Sequence, residues 1–201
     1  AISAKRIILA CNGYGGNPEL VAQHIPEMKD ALYFGHPGNQ GEAILWGEKL
    51  GAVPAHLSGY QGHGSVAHPH GILVTWALMM EGGIQVNLEG RRFSNEHQGY
   101  SEQAVAVLAQ LEKTAFNIFD ERLRELGRKF EDFRNAEDSG AVITEMTIEE
   151  LADRIGVDRK NLANTLEDCA RLAESGEPDS HGRRFNPENL LSPPYSAVRV
   201  T

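Results

Sequence analysis

The stretch that most constrains the fold runs from Gly82 to Glu96, Gly-Gly-Ile-Gln-Val-Asn-Leu-Glu-Gly-Arg-Arg-Phe-Ser-Asn-Glu. Read locally, Ile84 to Val86 makes a short strand, Asn87 to Gly90 a turn, and Arg92 to Ser94 a returning strand. By itself this is a polar hairpin carrying two arginines. Upstream, Lys5 to Cys11 is a continuous apolar run of the kind a buried, parallel strand shows. Asn17-Pro18 follows as an N-cap with proline at the first helical position, opening a helix over Glu19 to His24. Gly41 to Leu50 reads as a second helix with a mixed apolar face.

The organisation changes near residue 55. Glycine and histidine dominate Gly59 to Gly71, which predicts an irregular loop. Beyond it the chain is more helical. Ser101 to Leu111 places Ala104, Val105, Val107, Leu108 and Leu111 at helical spacing, and Phe116 to Phe119 reads as a buried strand leading into a short helix over Asp120 to Gly127. Thr147 and Glu150 fit a capping box for a helix that ends near Gly156. Asp158 caps the next helix, whose Leu162, Leu166, Cys169 and Leu172 form one stripe. Residues 174–190 read as an exposed loop.

Charge and cysteine content narrow the functional classes. A net charge of −9 argues against nucleic-acid and anionic-membrane partners. No apolar run approaches the ~20 residues of a spanning helix. Cys11 and Cys169 are too few for a disulfide framework, so the expected location is cytoplasmic. His56, His63, His68 and His70 cluster in sequence but match no metal-ligand spacing, and no metal site is expected.

Residues 82–96 resemble the G-x-x-V-N-x-x-G-x-R-F-x-N-E segment of the succinate dehydrogenase/fumarate reductase flavoprotein family. Other segments resemble the same family in the same order. Arg6 to Asn17 is similar to its strand-and-glycine turn, and Gly35 to Ala43 to its second glycine turn. Tyr60 to His63 is similar to its Q-x-H-P segment, and Ile72 to Gly83 to the run before the motif. The resemblance implies an α+β architecture: a capping, substrate-binding domain over residues 57–201, joined to a leftover strand and turns of a split FAD-binding domain over residues 1–56. A flavoprotein of this type carries G-x-G-x-x-G to hold the dinucleotide pyrophosphate at a helix N-terminus. That pattern is nowhere in the sequence. The expectation is therefore a middle part of a longer FAD-dependent oxidoreductase, inactive alone, whose partners are a small-molecule substrate and the rest of the FAD-binding domain.

The resemblance also implies site residues. Gly13, Gly15 and Gly16 fall in the first flavin-side turn, and Gly38, Asn39, Gly41 and Glu42 in the second. Glycine there lets a flat ring system approach backbone; alternatively, such clusters merely end strands and start helices. His63 stands where the family has a histidine that holds a substrate carboxylate, and Gly64 where it usually has proline. The arginine that delivers a proton in fumarate reductases is replaced by Tyr100. Of the threonine, glutamate and arginine that bind a dicarboxylate and relay protons, only Thr75 remains, with Trp76 and Met79 in the other positions.

A dianion beside Trp76 and Met79 would lose water without gaining counter-charge, so an apolar-leaning substrate is expected. Tyr100 can act as general acid or base, an arrangement that resembles 3-ketosteroid dehydrogenases of the same superfamily; it can equally be only the aromatic start of a helix. The competing functional expectation is a stand-alone, non-catalytic binding module that has lost its cofactor domain. Without a phosphate-binding turn, the 201-residue chain purified alone is expected to be colourless. Near-stoichiometric flavin absorbance in the purified protein would refute this.

Overall fold

The structure is a computed structural model that describes residues 4–201. They fall into two compact units, one ending at Gln61 and one beginning at Gly62.

The first unit is built on two short helices, α1 (Pro18–His24) and α2 (Glu42–Lys49). The Asn17 side chain accepts the N–H groups of Glu19 and Leu20, both at 3.1 Å, and Pro18 fits the first turn because its missing N–H had no partner to lose. Lys5–Cys11, expected as a strand, is not one. A strand persists through ladder hydrogen bonds, and this unit has no other strand among its described residues to supply them. Ile7 and Ile8 are 77% and 91% exposed instead.

The second unit is a single antiparallel sheet with helices on both faces. Its strands are β1 (Val66–Ala67), β2 (Ile72–Leu73), β3 (Ile84–Val86), β4 (Ala115–Asp120), β5 (Val142–Glu145) and β6 (Tyr195–Val200). Its helices are α3 (Ala77–Met80), α4 (Tyr100–Leu108), α5 (Glu121–Gly127), α6 (Glu131–Asp138), α7 (Ile148–Ile155) and α8 (Arg159–Ser175). The order is β2-β1-β6-β4-β3, with β5 also paired to β6. The axis is the β4–β6 pair, in register from Ala115 opposite Val200 to Asp120 opposite Tyr195.

Every residue of β4 is buried because the sheet is covered on both sides. Phe119 faces a core with Leu78, Met79, Leu123, Phe133 and Val198. Phe116 and Ile118 face a second core with Ile84, Leu151, Leu162, Cys169 and Ala197. The α7–α8 pair closes the second core as the sequence predicts: the Thr147–Glu150 capping box is present, Gly156 ends α7 in the left-handed region, and Asp158 caps α8.

Two other expectations are corrected. The loop over 59–71 contains β1 and leads into β2, turning at Gly71, whose φ of 69° suits glycine. The hairpin over 84–94 does not form. β3 pairs with β4, and Arg92–Ser94 leaves the sheet to follow Arg92 inward.

That inward turn is fixed by a fully buried carboxylate. Glu96 Oε1 accepts the Gln85 N–H and Arg92 Nε, both at 2.9 Å, while Oε2 accepts Arg92 at 2.6 Å and Arg183 at 2.8 Å. Arg92 also pairs with Asp179, and both guanidiniums lie against the Phe185 ring at 4.9 and 4.8 Å. Burial pushes the Glu96 carboxyl up, but the Arg92 hydrogen bond and the charges of Arg183 and Arg92 outweigh it and hold the group at about 2. A depressed carboxylate contributes stability that is present above its ordinary value of 4.5 and lost as pH falls through about 2. Removing one partner from such a pair costs roughly 3–5 kcal/mol. Glu96→Gln is therefore expected to lower the urea midpoint strongly at neutral pH and to flatten its fall between pH 4.5 and 2. A variant as stable as the parent chain would show that the cluster holds nothing together.

Candidate active site

The loop carrying His63 is pinned at each side of the histidine. Ser101 Oγ accepts the Gly62 N–H at 3.1 Å and donates back to the Gly62 carbonyl at 3.2 Å. The Gly64 N–H donates to the Tyr100 carbonyl at 3.0 Å, and Gln85 Nε2 donates to the Gly64 carbonyl at 2.6 Å. A Cβ on Gly64 would lie 2.8 Å from the backbone of Gln103, so only glycine lets the loop reach α4 this closely. Proline at 64 would also remove the N–H that Tyr100 accepts.

This docking brings together three residues that the sequence keeps far apart. The His63 and Tyr100 rings stack with centroids 5.2 Å apart and planes at 22°. Trp76 meets His63 edge-on at 6.0 Å and 87°. Trp76 is buried; Tyr100, the first residue of α4, keeps 37% of its surface exposed. Among the described residues, neither His63 Nδ1 nor Trp76 Nε1 has a hydrogen-bond partner although both are buried. Each such atom costs about 1–3 kcal/mol while unpaired. Burial lowers the His63 imidazole to about 4, so it is uncharged at neutral pH.

Thr75 and Met79 are placed differently. Thr75 Oγ1 accepts the Ala77 N–H at 3.3 Å at the entry to α3, and its side chain is half-buried. Met79 is fully buried in the core that also holds Trp76. Behind the rings lies a polar network that sequence reasoning missed. Gln85 donates to Asn117 at 2.8 Å and accepts from Gln103 at 2.7 Å, and Asn117 donates to Ser65 at 2.6 Å. Its one sequence signal is the odd polar residue inside an otherwise apolar strand, Gln85 in β3 and Asn117 in β4. Among the described residues no group of three or more His, Cys, Asp or Glu could hold a metal; His56, His68 and His70 are exposed.

In the first unit the two glycine turns lie against each other. The Gly16 N–H donates to the Asn39 carbonyl at 2.9 Å and Gln40 Nε2 to the Gly16 carbonyl at 2.8 Å. Much of the room left by the glycines is taken by the chain itself. A Cβ on Gly15 would strike the Tyr33 ring at 2.3 Å, one on Gly16 the Pro37 carbonyl at 2.8 Å, and one on Gly38 the His36 ring at 2.8 Å. Gly41 needs its φ of 86° to start α2, where Glu42 sits in the first turn. Gly13 differs: nothing lies within 4 Å of the position its Cβ would take. The open backbone at Gly13, beside the paired turns, fits the edge of a flat ring. The sequence offers no G-x-G-x-x-G for a pyrophosphate.

Comparison with known proteins bears on both units. The model of a family described as FAD binding domain matches residues 1–201. The chain is 30% identical over 199 residues to a probable fumarate reductase of Shewanella frigidimarina, covering 99% of this chain and 33% of that protein. Among solved structures, the open conformation of a flavocytochrome c3 fumarate reductase is similar with a TM-score of 0.78 at 30% identity, over 98% of this chain and 34% of that one. A 3-ketosteroid delta1-dehydrogenase from Sterolibacterium denitrificans is similar with a TM-score of 0.67 at 25% identity, over 94% of this chain and 40% of that one. The chain thus spans about a third of the length of the Shewanella frigidimarina relatives it matches.

The neutral state of His63 is directly measurable. Its nitrogen shifts, followed by NMR against pH, are expected to titrate near 4. The sign follows from linkage: an unfolded histidine, at about 6.5, binds its proton first, so this group's stability is full above 6.5 and falls as pH drops towards about 4. A midpoint near 6.5 would place His63 in water and undo the stacked arrangement.

Proposed function

We propose, from the premise that the chain belongs to the FAD binding domain family, that it forms the flavin-side turns and the cap of a longer FAD-dependent oxidoreductase. The reaction proposed is formation or removal of a C=C bond in a substrate that is more apolar than a small dicarboxylate. The observation that carries this reading is the His63–Trp76–Tyr100 ring cluster: it is built without formal charge where the resemblance expects ionic groups.

Bound FAD supplies the hydride chemistry, and the chain's residues supply the rest. Gly13 and the paired turns at Gly16, Gly38 and Asn39 would hold the ring edge through backbone, with Gly15, Gly41 and Glu42 shaping those turns. Tyr100 would hold or move a proton at its phenolic oxygen, beside the histidine ring that fixes its own. His63 and Trp76 would orient a polar group of the substrate through the nitrogens that have no partner among the described residues. The rings exclude water, which strengthens every hydrogen bond made there. Thr75 sets the start of α3, and Met79 backs Trp76 from the core.

Among the described residues no helix is long and apolar enough to cross a membrane. The proposal includes a cytoplasmic setting, on the two cysteines, and no nucleic-acid or membrane partner, on the net charge of −9. The stand-alone binding module is the competing reading, and flavin content of the full-length protein separates the two.

In the full-length protein, Tyr100→Phe is expected to keep fold and flavin while reducing turnover by roughly 10²–10⁴. His63→Ala is expected to act mainly on kcat/KM for substrates with a polar handle. Succinate and fumarate are expected to be poor substrates. Robust fumarate reduction, or unchanged turnover in Tyr100→Phe with a good substrate, would overturn the assignment.

A further inference from the structure

Residues 85 and 117 break the apolar pattern of the two strands that carry them. In β3 and β4, Ile84 lies opposite Ile118 and Val86 opposite Phe116, and all four belong to the second core. Gln85 and Asn117 are also directly opposite each other, on the face where Ala115 and Phe119 of β4 join the first core. An apolar pair would simply continue that core. Amides stand there because the loop after His63 meets the sheet with its backbone, and a buried carbonyl requires a donor.

The hydrogen bonds run in one direction towards that loop. Gln103 Nε2 donates to Gln85 Oε1 at 2.7 Å. Gln85 Nε2 donates to Asn117 Oδ1 at 2.8 Å and to the Gly64 carbonyl at 2.6 Å, and Asn117 Nδ2 donates to Ser65 Oγ at 2.6 Å. Ser65, Gln85, Gln103 and Asn117 are each at most 2% exposed. The two amides thus reach Gly64 and Ser65, the two residues that follow His63. We propose that Gln85 and Asn117 are positioning residues for the ring cluster: their amides fix the loop against the sheet and thereby the pose of the His63 ring against Trp76 and Tyr100.

The coupling is short. Without Gln85 the Gly64 carbonyl would be left unpaired in the interior and would have to turn towards water, carrying the neighbouring histidine with it. Ser101 Oγ holds Gly62 on the other side, so the ring inherits its place from two directions. Burial is what lowers the His63 imidazole, so its proton affinity reports how deeply the ring is held. The effect on turnover, unlike the effect on the ring, rests on the ring cluster being the active site.

The test follows His63 by NMR in the 201-residue chain, with Gln85→Met as an apolar replacement of nearly the same length. Gln85→Met is expected to raise the proton affinity of His63 by at least about tenfold, moving its midpoint from about 4 towards 6.5. The ring-proton shifts of His63 are expected to move towards those of a free histidine as the stack opens. Leu162→Ala leaves a cavity in the second core, away from the loop and the rings, and is expected to destabilise the unit while both readouts stay in place. That contrast separates positioning from general support of the fold. Ser65→Ala removes only the Asn117 contact and is expected to move the midpoint the same way, by at least about twofold in proton affinity. If Gln85→Met does not fold, Ser65→Ala decides. An unmoved midpoint, or an equal movement in Leu162→Ala, would overturn the proposal. In the full-length protein Gln85→Met is expected to lower kcat/KM, and to add nothing once His63→Ala is present, because it acts through that ring. A displaced His63 with unchanged kcat/KM would overturn the active-site reading and leave the positioning role standing.

Discussion

The Glu96 carboxylate is removed from water, and the second unit is arranged around keeping it compensated. Its oxygens draw on the edge strand β3 through the Gln85 N–H, on the turn after β3 through Arg92, and on the segment after α8 through Arg183. The strand β3, the turn that follows it and the distant segment around Arg183 thereby share one anion. An apolar replacement of the same shape would not carry this information, because dispersion has no direction, whereas two guanidiniums on one carboxylate fix angles as well as distances. The resulting geometry reaches the ring cluster indirectly. β3 is held by Glu96 on its backbone, and the Gln85 side chain from the same strand holds the Gly64 carbonyl next to His63.

Much of the helical part was legible in the sequence because it is specified locally. The capping box at Thr147, the Asp158 cap and the left-handed Gly156 act within a few residues of themselves, so reading them requires no knowledge of the fold. The sheet was less legible. β6 became the central strand, yet Tyr195–Val200 mixes serine, alanine and arginine with its apolar residues, and only its partners β4, β5 and β1 on either side make it a strand. The converse holds for Lys5–Cys11, whose apolar run looks more like a strand than β6 does and which pairs with nothing among the described residues. Apolar character alone does not make a strand; a hydrogen-bonding edge does. The arginine-bearing hairpin misled for a related reason. It was read as a polar hairpin, while Arg92 turns inward and is nearly buried because Glu96 lies four residues further along.

The candidate site divides along the same line. Resemblance named His63, Trp76 and Tyr100, but nothing in their spacing says that their rings touch. That contact depends on Gly62 and Gly64, whose backbone groups bond to the first turn of α4. Gly64 fits its context: it supplies an N–H for the Tyr100 carbonyl and room against Gln103, neither of which a proline would offer. In the first unit the glycines taught the opposite lesson. Gly15, Gly16 and Gly38 make room for Tyr33, the neighbouring turn or His36, while Gly13 stays open. Counting glycines in a turn therefore overstates how many face a ligand.

A ring cluster without charge has consequences for how any substrate would be held. A carboxylate bound by cations is positioned by forces that extend beyond contact, and it tolerates small errors in placement. Hydrogen bonds from a neutral imidazole and an indole act only at short range and within a narrow angle. Such a site has to be stiff to be selective, since nothing long-ranged corrects a misplaced ligand. The stiffness is visible: His63 is stacked, its flanking glycines are both tied to α4, and the network from Gln85 to Ser65 fixes the sheet behind them. The hydrogen bonds of the polar network behind the rings supply the rigidity that an uncharged cluster requires.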